Sequence, residues 1–200
     1  MSKHFQTVNF TSIDSTHTYV LGDKEGEDVL VVAEEQTQGV TSKPDERWHS
    51  DSGGLFLSLR VTNRGMARDS KKIAKKLGDE ISLLFSDLFN INIEYQKPND
   101  FYTSNKKIGG VLCETNNRTT IYSLGLNINQ ASFHEEIAST ATSVFLETNK
   151  EHSMSQTVDK LIDYFDNLLT AYKDSIPRYS SPLLTRRYQK LKKRANKRIQ

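Results

Sequence analysis

The segment 96–114, QKPNDFYTSNKKIGGVLCE, carries polar and charged residue types at a spacing that could form a reactive site. Lys107 follows Asp100 by seven residues and comes directly before the stretch that contains Gly109 and Gly110. A fixed lysine can hold developing negative charge, and paired glycines let backbone pass close to a ligand. The alternative is an ordinary hairpin with a Pro-Asn-Asp turn and a surface lysine. A motif this short does not decide between the two.

Short strands and amphipathic helices must position these residues. DVLVVAEE (28–35) and GGLFLSLRV (53–61) are typical of strands, and the polar stretch 36–52 between them predicts a long loop. An amphipathic helix is predicted over 67–89. Its apolar positions are Ile73, Leu77, Ile81, Leu84, Phe85 and Leu88.

The second half of the chain continues the mixture of strands and helices. INIEYQ (91–96) alternates as a strand, and KKIGGVLCET and TTIYSLGLNIN predict two strands joined at a polar turn, 116–118. Two helices are predicted near 134–147 and 155–173. The sequence therefore predicts an α+β fold, a mixed sheet with helices packed on it.

Composition predicts one soluble domain in a reducing compartment. The chain has 200 residues and 36% hydrophobic residues, enough for a single core. Its single cysteine, Cys113, excludes an intrachain disulfide and is expected to be a small buried strand residue. The N-terminus lacks an apolar signal core, and no stretch approaches the roughly 18 apolar residues that a membrane span needs. We therefore expect a cytoplasmic protein.

Five segments occur in an order that resembles the catalytic domain of biotin protein ligases. They are IDSTHTY (13–19), VVAEEQTQG (31–39), RWHSDSGGLFLSL (47–59), QKPNDFYTSNKKIGGVLCE (96–114) and SLGLNIN (123–129). The family shows a DSTN-like start, an AEEQTAGRGR loop, a W-S-P-x-G-G-L strand, KWPND, K-x-G-G-x-L-x-E and G-x-G-x-N-x-N. The likeness covers about residues 8–130 and extends plausibly to about 180.

The resemblance implies an enzyme with a biotin/lipoate-ligase-like fold, related to class II synthetases. Such an enzyme joins biotin to ATP, with Mg²⁺, to give biotinyl-5'-AMP and pyrophosphate. It then transfers biotin to a lysine of a biotin carboxyl carrier protein, a domain of acetyl-CoA or pyruvate carboxylase. In this family the catalytic cation is the lysine seven residues after the PND aspartate, which corresponds to Lys107 here.

The same matching assigns the binding residues. The resemblance places Ser15, Thr16, Gln36, Gly39, Gly109, Gly110 and Gly125 at biotin. It places Trp48, Asn99, Asp100 and Asn127 at the nucleotide, with Lys43 and Arg47 as candidate charges and Asp100 as a candidate Mg²⁺ ligand. For some of these the bland alternatives stay open. Ser15 or Thr16 can cap a helix, Gln36 can be a solvated strand end, and Trp48 can be a half-buried core residue.

Three departures from the family pattern fall mainly on adenylate retention. The glycine- and arginine-rich loop is replaced by Val40, Thr41, Ser42, Lys43, Pro44 and Asp45 after Gly39. KWPND has become QKPND, so that Lys97 is out of register, and Ser123 stands where the family has glycine. One lost charge-assisted hydrogen bond costs about 1.5–3 kcal/mol, which predicts a weak or leaky ligase.

Outside the catalytic domain, taken as residues 1–180, the sequence predicts only a basic tail, 181–200. Residues 186–200 carry eight basic and no acidic side chains. This tail is expected to be a solvated helix, or to attract an acidic carrier protein or nucleic acid. We expect neither an N-terminal helix-turn-helix nor a C-terminal small β-barrel, no sequence-specific DNA binding and no membrane partner.

Three readings of function remain open at this point, besides a nucleic-acid binder with an inherited fold, which rests on the basic tail alone. The first is the biotin ligase, for which a homodimer is an open possibility. The second is a lipoate or octanoate transferase, although the Arg-Arg-x-x-Gly-Gly-Gly loop of those enzymes is missing. The third is a non-catalytic paralogue that binds biotin or the carrier protein through a retained pocket. The altered loop favours the third reading, and the matched Lys107 favours the first.

Overall fold

A computed structural model describes residues 5–22, 28–43, 46–62, 70–96, 98–116 and 119–173. The basic tail, Lys97 and two residues of the 116–118 turn lie outside this range. Within it, eight strands form one mixed sheet. The strands are β1 (Gln6–Ile13), β2 (Val29–Val40), β3 (Arg47–Ser50), β4 (Gly54–Thr62), β5 (Glu94–Gln96), β6 (Asp100–Thr103), β7 (Lys106–Thr115) and β8 (Thr119–Asn127). The helices are α1 (Thr16–Gly22), α2 (Ser70–Phe89), α3 (Val144–Thr148) and α4 (Met154–Lys173).

The strand order is β1-β2-β4-β8-β7-β6-β5, with β3 paired to β2 outside this path. Only β1 and β2 pair in parallel, and the other named pairs are antiparallel. This confirms the predicted α+β class, a mixed sheet with helices packed on it.

The main core lies between the sheet and the helices α2 and α4. Alternate residues of β4 and β8, such as Leu57 and Leu124, meet Ile81 and Phe85 of α2 and Phe165 of α4. Both long helices carry apolar residues three or four positions apart, so each buries one stripe and leaves the rest to solvent. No helix in the described part of the chain is long and apolar enough to cross a membrane.

The opposite face of the sheet is only partly covered. There α1 lies across β2, β4 and β8, and Val20 packs with Val29, Val31 and Ile121 in a small second cluster. The rest of this face is the floor of a cavity. The sheet therefore has one face that supplies stability and another that is free to hold a site.

The prediction of a long loop over residues 36–52 is wrong for most of these residues. β2 continues to Val40 and pairs with β3, with Gly39 opposite Trp48 and Val40 opposite Arg47. The residues of this hairpin are mostly polar and half-exposed, so the apolar alternation that marks a strand is missing. Two further strands, β1 and β6, carry too few buried apolar residues to be recognised in the sequence.

The helix predicted near 134–147 is also wrong. Only α3, Val144–Thr148, is helical there. The preceding segment is instead drawn against β7, where Ala141 forms a parallel bridge with Lys107. Ser143 has extended backbone and its hydroxyl accepts from the Leu146 N–H, which starts the helix at Val144. Asn149 ends it in the left-handed conformation. Likewise, the strand expected over 91–96 is confined to Glu94–Gln96.

Candidate active site

A cavity of about 340 Å³ opens on the sheet face that α2 and α4 do not cover. This volume lies within the range of about 300–1,000 Å³ that is usual for small-molecule sites. Its floor includes the cross-strand partners Gly110 and Gly125 and, next to them, Leu112 and Ser123. The Asn99–Asp100 turn closes one side and the start of α1 closes the other, and the β2–β3 hairpin covers the top.

A β-bulge places Lys107 in this cavity. Gly110 pairs with Asp100 and Gly109 with Phe101, but Tyr102 then pairs with Lys107, so Ile108 is an extra residue. Regular alternation would put Lys107 on the same face as Gly109, the side of Phe101 and Leu126 in the core. The bulge reverses this: Ile108 enters the core and Lys107 faces the cavity.

The backbone of Lys107 is bonded outside its own hairpin as well. Its N–H donates to the Thr140 carbonyl at 2.8 Å, and its carbonyl accepts from the Thr142 N–H at 2.9 Å. The two-residue turn that precedes it, Ser104–Asn105, has positive φ at both positions, which suits a tight hairpin. Lys107 therefore stands at a rigid place in the fold.

The ammonium group of Lys107 has two neighbours. Its Nζ lies 2.7 Å from Oδ1 of Asp100 and 5.0 Å from the centre of the Trp48 ring. Both Lys107 and Asp100 are about a third exposed or less, so this ion pair is open to a ligand from the cavity. An anion that enters the cavity can compete with Asp100 for the ammonium group, because the pair is partly exposed to the cavity.

Trp48 lies on the two facing glycines. A Cβ on Gly125 would come 2.9 Å from the indole ring, and one on Gly110 would come 3.5 Å from it. The indole ring can therefore occupy this position because neither glycine has a side chain. The indole Nε1 is buried and has no hydrogen-bond partner among the described residues. Trp48 is half-buried, so it is both a packing residue and a cavity wall.

The turn before β6 is tied to its surroundings through Asn99. The Asn99 carbonyl accepts from the Val111 N–H at 2.8 Å, and its side-chain amide donates to the Ser42 hydroxyl at 3.0 Å. Within this turn the Tyr95 hydroxyl donates to the Pro98 carbonyl. Burial raises the pKa of Tyr95, with the charges of Asp79 and Asp100 acting in the same direction, so the donor stays protonated.

At the other end of the cavity Ser15 and Thr16 begin α1. The Ser15 hydroxyl accepts from the Thr18 N–H at 3.3 Å, so the capping interpretation of Ser15 is confirmed, and the residue also lines the cavity. Gln36 is not a solvated strand end. Its Oε1 accepts from the Thr16 N–H at 2.8 Å and from the Thr16 hydroxyl at 3.1 Å, and its amide donates to Ser50.

The two basic residues proposed to supply charge in the altered loop, Lys43 and Arg47, lie in different places relative to the cavity. Lys43 lines the cavity, but its Nζ lies 2.6 Å from Glu46 Oε1. The hydrogen bond and charge of Glu46 raise the pKa of Lys43. Arg47 is exposed on β3 and does not line the cavity. Among the described residues, Lys43 is therefore the cation that lines this part of the cavity, and it is already paired with Glu46.

The structure brings together most of the residues that the sequence predicted. Ser15, Thr16, Gln36, Lys43, Trp48, Asn99, Asp100, Lys107, Gly110 and Gly125 all line the cavity. Gly39, Gly109 and Asn127 do not. Gly39 pairs with Trp48 across the hairpin, where a Cβ would come 2.5 Å from the Trp48 carbonyl oxygen, and Gly109 faces the core. Asn127 is buried and donates to the Thr142 carbonyl at 3.0 Å, so it fastens the segment behind Lys107.

Sequence reasoning missed His17 as a cavity residue. It is buried on α1, and its Nδ1 lies 2.8 Å from the Ser123 hydroxyl. Its Nε2 lies 3.4 Å from Oε2 of Glu114. A single histidine has no signature of its own, but its position directly after Thr16 was the available signal.

Comparisons with known proteins agree with this geometry. Residues 9–130 match the model of the biotin/lipoate A/B protein ligase family. The biotin protein ligase of Aquifex aeolicus, solved with biotin and ATP, is 25% identical with a TM-score of 0.73, over 85% of this chain and 72% of that one. The chain therefore belongs to the biotin/lipoate A/B protein ligase family and is an enzyme of the ligase or transferase type.

Two more distant structures share the fold. The biotin protein ligase of Leishmania major, solved with biotinyl-5-AMP, is 18% identical with a TM-score of 0.62, over 93% of this chain and 81% of that one. A lipoate protein ligase from Thermoplasma acidophilum is 12% identical with a TM-score of 0.58, over 84% of this chain and 85% of that one. At these identities the likeness concerns the architecture alone.

Proposed function

We propose that the protein is a biotin protein ligase that activates biotin with ATP and transfers it to a lysine of a biotin carboxyl carrier protein. The observation that carries the proposal is the placement of Lys107. A β-bulge orients the Lys107 side chain toward the cavity, and Thr16 and Gln36 line the other end of that cavity. The likeness to the Aquifex aeolicus enzyme with biotin and ATP supports biotin over other acids.

In the first step a carboxylate oxygen of biotin attacks the α-phosphorus of ATP, and pyrophosphate leaves. Negative charge builds up on the phosphoryl oxygens, and the Lys107 ammonium group is the described cation best placed to hold it. The Asp100 carboxylate holds the Lys107 ammonium group at the cavity until the phosphate of the ligand takes the place of that carboxylate. Trp48 and the Gly110–Gly125 floor exclude water from the reacting groups.

In the second step the amine of the carrier lysine attacks the acyl carbon of biotinyl-5'-AMP. An amide bond forms, the bond to the phosphate oxygen breaks, AMP leaves, and the amine loses its proton to solvent. Lys107 again faces the departing phosphate, so a single cation serves both steps. The tie between Asn99 and Ser42 joins the nucleotide side of the cavity to the hairpin that covers it.

The residues present fit Mg²⁺ as a companion of ATP. Asp100 offers one carboxylate and Asn99 one amide oxygen, and the described residues contain no group of three or more His, Cys, Asp or Glu side chains suited to a metal ion. Mg²⁺ commonly takes one or two carboxylates and completes its shell with phosphate oxygens and water. Bound in this way, it would neutralise charge on the pyrophosphate that leaves.

Adenylate retention should be weaker than the family pattern implies. The cover carries Lys43, which is engaged by Glu46, in place of the arginines of the matched loop. Lysine also lacks the two-pronged geometry with which arginine holds a phosphate. We therefore expect biotinyl-5'-AMP to leave the site about tenfold to a hundredfold faster than it would from a loop with one more charge-assisted hydrogen bond.

Calorimetry of biotin binding with and without Mg-ATP, on the wild type and on Lys107→Ala, tests the proposal. The expected result is binding that becomes much tighter with Mg-ATP in the wild type and does not in Lys107→Ala. Equal binding with and without nucleotide would instead favour a non-catalytic protein that binds biotin, as the paired Lys43 also suggests. If biotin does not bind, lipoate and octanoate are the next ligands, and tight binding of either would replace biotin as the substrate.

A further inference from the structure

A continuous series of hydrogen bonds runs along the polar end of the cavity and ends at a histidine. The Thr16 hydroxyl lies 2.9 Å from that of Ser58, and the Ser58 hydroxyl lies 2.8 Å from that of Ser123. We call these three hydroxyls the hydroxyl relay. Gln36 joins it at the Thr16 end, and His17 joins it at the Ser123 end. Neither His17 nor Ser123 has a role in the mechanism above.

The direction of each bond can be worked out from the Gln36 end. The Gln36 Oε1 can only accept, and the Thr16 N–H fixes the orientation of this amide. If the Thr16 hydroxyl donates to Gln36, its oxygen must accept from Ser58, because a hydroxyl carries one proton. Ser58 must then accept from Ser123. Ser123 in turn must accept from an N–H at Nδ1 of His17.

The other side of His17 faces a carboxylate. Nε2 lies 3.4 Å from Oε2 of Glu114. An ionised carboxylate can only accept a hydrogen bond, so this contact favours a proton on Nε2 as well. With both nitrogens protonated His17 is an imidazolium ion. If it is neutral and keeps the Nε2 proton, Nδ1 must accept from Ser123. The relay then reverses: Ser123 donates to His17, Ser58 to Ser123 and Thr16 to Ser58.

The reversal changes what the cavity offers to a ligand. When His17 is charged, Oε1 of Gln36 accepts twice from Thr16 and has no lone pair left. When His17 is neutral, the Thr16 hydroxyl turns to Ser58 and one lone pair of Gln36 becomes free. In both states the protons of the Thr16, Ser58 and Ser123 hydroxyls are used within the relay, so these three groups offer lone pairs to a ligand rather than protons.

We propose that His17 and Ser123 determine ligand specificity: they select an acid whose far end carries N–H donors, and they make that selection depend on the protonation of His17. This inference rests on the proposed function, since the ureido ring of biotin is such a donor group. An acid of similar length with an apolar end, such as octanoate, gains nothing from the freed lone pair.

The charged groups around His17 are few. Glu114 of β7 is in contact with it. Of the other strands beside α1, β4 carries Arg60, whose guanidinium group donates to the Val20 carbonyl, and β2 carries Glu34 and Glu35. β8 carries no charged residue, and α1 has none besides His17. Asp14 precedes α1 and accepts from the Ser15 N–H.

The first arm of the test needs no ligand. Nitrogen NMR of the histidine rings in the full chain, from about pH 5 to pH 8 where histidine titrates, reads the proton on each nitrogen. His17→Asn identifies the signal. The expected result is protonation of both nitrogens at the acid end and an Nε2–H tautomer at the other end. A neutral His17 with its proton on Nδ1 would overturn the proposal.

The second arm measures the affinities of biotin and octanoate by calorimetry over the same range of pH. The expected result is that biotin binds about fivefold more tightly as His17 loses its proton, the effect of one neutral hydrogen bond. Octanoate shares the carboxylate but lacks the N–H donors, so its affinity should stay constant. Ser123→Ala should abolish the pH dependence for biotin, and His134→Asn, at an exposed site outside the cavity, should keep it.

The two arms separate failure of this inference from failure of the proposed function. If biotin binds but its affinity does not change with pH, or if Ser123→Ala retains the change, His17 and Ser123 do not set specificity. An equal pH dependence for octanoate has the same meaning. If biotin does not bind at any pH, the proposed function fails, and the specificity proposed here fails with it, while the tautomer measured in the first arm still reports on the relay.

Discussion

The floor of the cavity keeps its shape through strand pairing, whereas the tip of the β2–β3 hairpin that covers it is held by side-chain contacts, among them the hydrogen bond between Ser42 and Asn99. Lys107 on the floor has its backbone bonded to Thr140 and Thr142 and its strand paired on both sides. On the cover, Lys43 is bound to Glu46 within the same hairpin. Under the proposed function, this comparison predicts that the first step depends on the floor and that the cover sets how long biotinyl-5'-AMP stays bound.

Loss of the Lys107 ammonium group should have the largest effect. Lys107→Ala removes the cation that the β-bulge directs toward the cavity. We therefore expect the rate of ATP–pyrophosphate exchange in the presence of biotin to fall by about a hundredfold to a thousandfold. Lys106→Ala is the matched control, because Lys106 is the neighbouring residue, is exposed and does not line the cavity. Equal losses in the two variants would mean that the charge of the floor matters and its placement does not.

Filling the floor should have the next largest effect. Gly125→Ala adds a methyl group 2.9 Å from the Trp48 ring, and crowding of this kind costs about 1–3 kcal/mol. The ring should shift, biotin affinity should fall, and the fluorescence of Trp48, the single tryptophan, should change. Gly22→Ala is the control, since a methyl group there meets nothing within 4 Å. Unchanged fluorescence in Gly125→Ala would show that Trp48 does not rest on the floor in solution.

The floor was easier to predict from the sequence than the cover. β4, β7 and β8 and the helices α2 and α4 bury regular apolar stripes, and their periodicity marks them in the sequence. The cover and β6 are short, polar and stabilised by pairing that the sequence does not display. The prediction of a helix near 134–147 failed because the backbones of Thr140 and Thr142 form hydrogen bonds with Lys107, a contact between segments far apart in the chain.

The candidate site shows the same division. Lys107, Asp100, Gly110 and Gly125 could be predicted because their motif spacing survives in the sequence. The pairing of Lys43 with Glu46 could not, since it depends on how the hairpin folds. Asn127 has the type and position of a ligand-binding residue, yet the structure uses its amide to hold Thr142. Residue type alone does not tell a cavity wall from the support behind it.

A pair of asparagine variants can test this distinction. Asn127→Ala removes a buried donor to the Thr142 carbonyl, so we expect a loss of about 1 kcal/mol in the free energy of unfolding and a lower Tm. Asn99→Ala changes a cavity residue whose amide is exposed, so we expect weaker nucleotide binding and little change in Tm. Thermal unfolding and titration with Mg-ATP measure both effects. If Asn127→Ala weakens nucleotide binding without lowering Tm, this residue belongs to the site itself.

The smallest effect should come from the cover. Glu46→Gln releases Lys43, whose pKa is raised by the hydrogen bond and charge of Glu46, and Lys43 stays protonated near neutral pH without this partner. A free ammonium group at the cavity should slow the release of biotinyl-5'-AMP by severalfold, because exposed charge pairs contribute at most about 1 kcal/mol. The gain should shrink as salt is added.

The double variant Lys43→Ala with Glu46→Gln identifies the source of any such gain. If Lys43 causes it, the double variant should release the intermediate at least as fast as the wild type does. If the double variant keeps the gain, removal of the negative charge of Glu46 is sufficient, and the cover acts through repulsion of the phosphate. In both cases exchange with pyrophosphate should stay close to wild type, since Lys107 on the floor is untouched. A large change in exchange would mean that the cover takes part in catalysis and that the two regions are not separate.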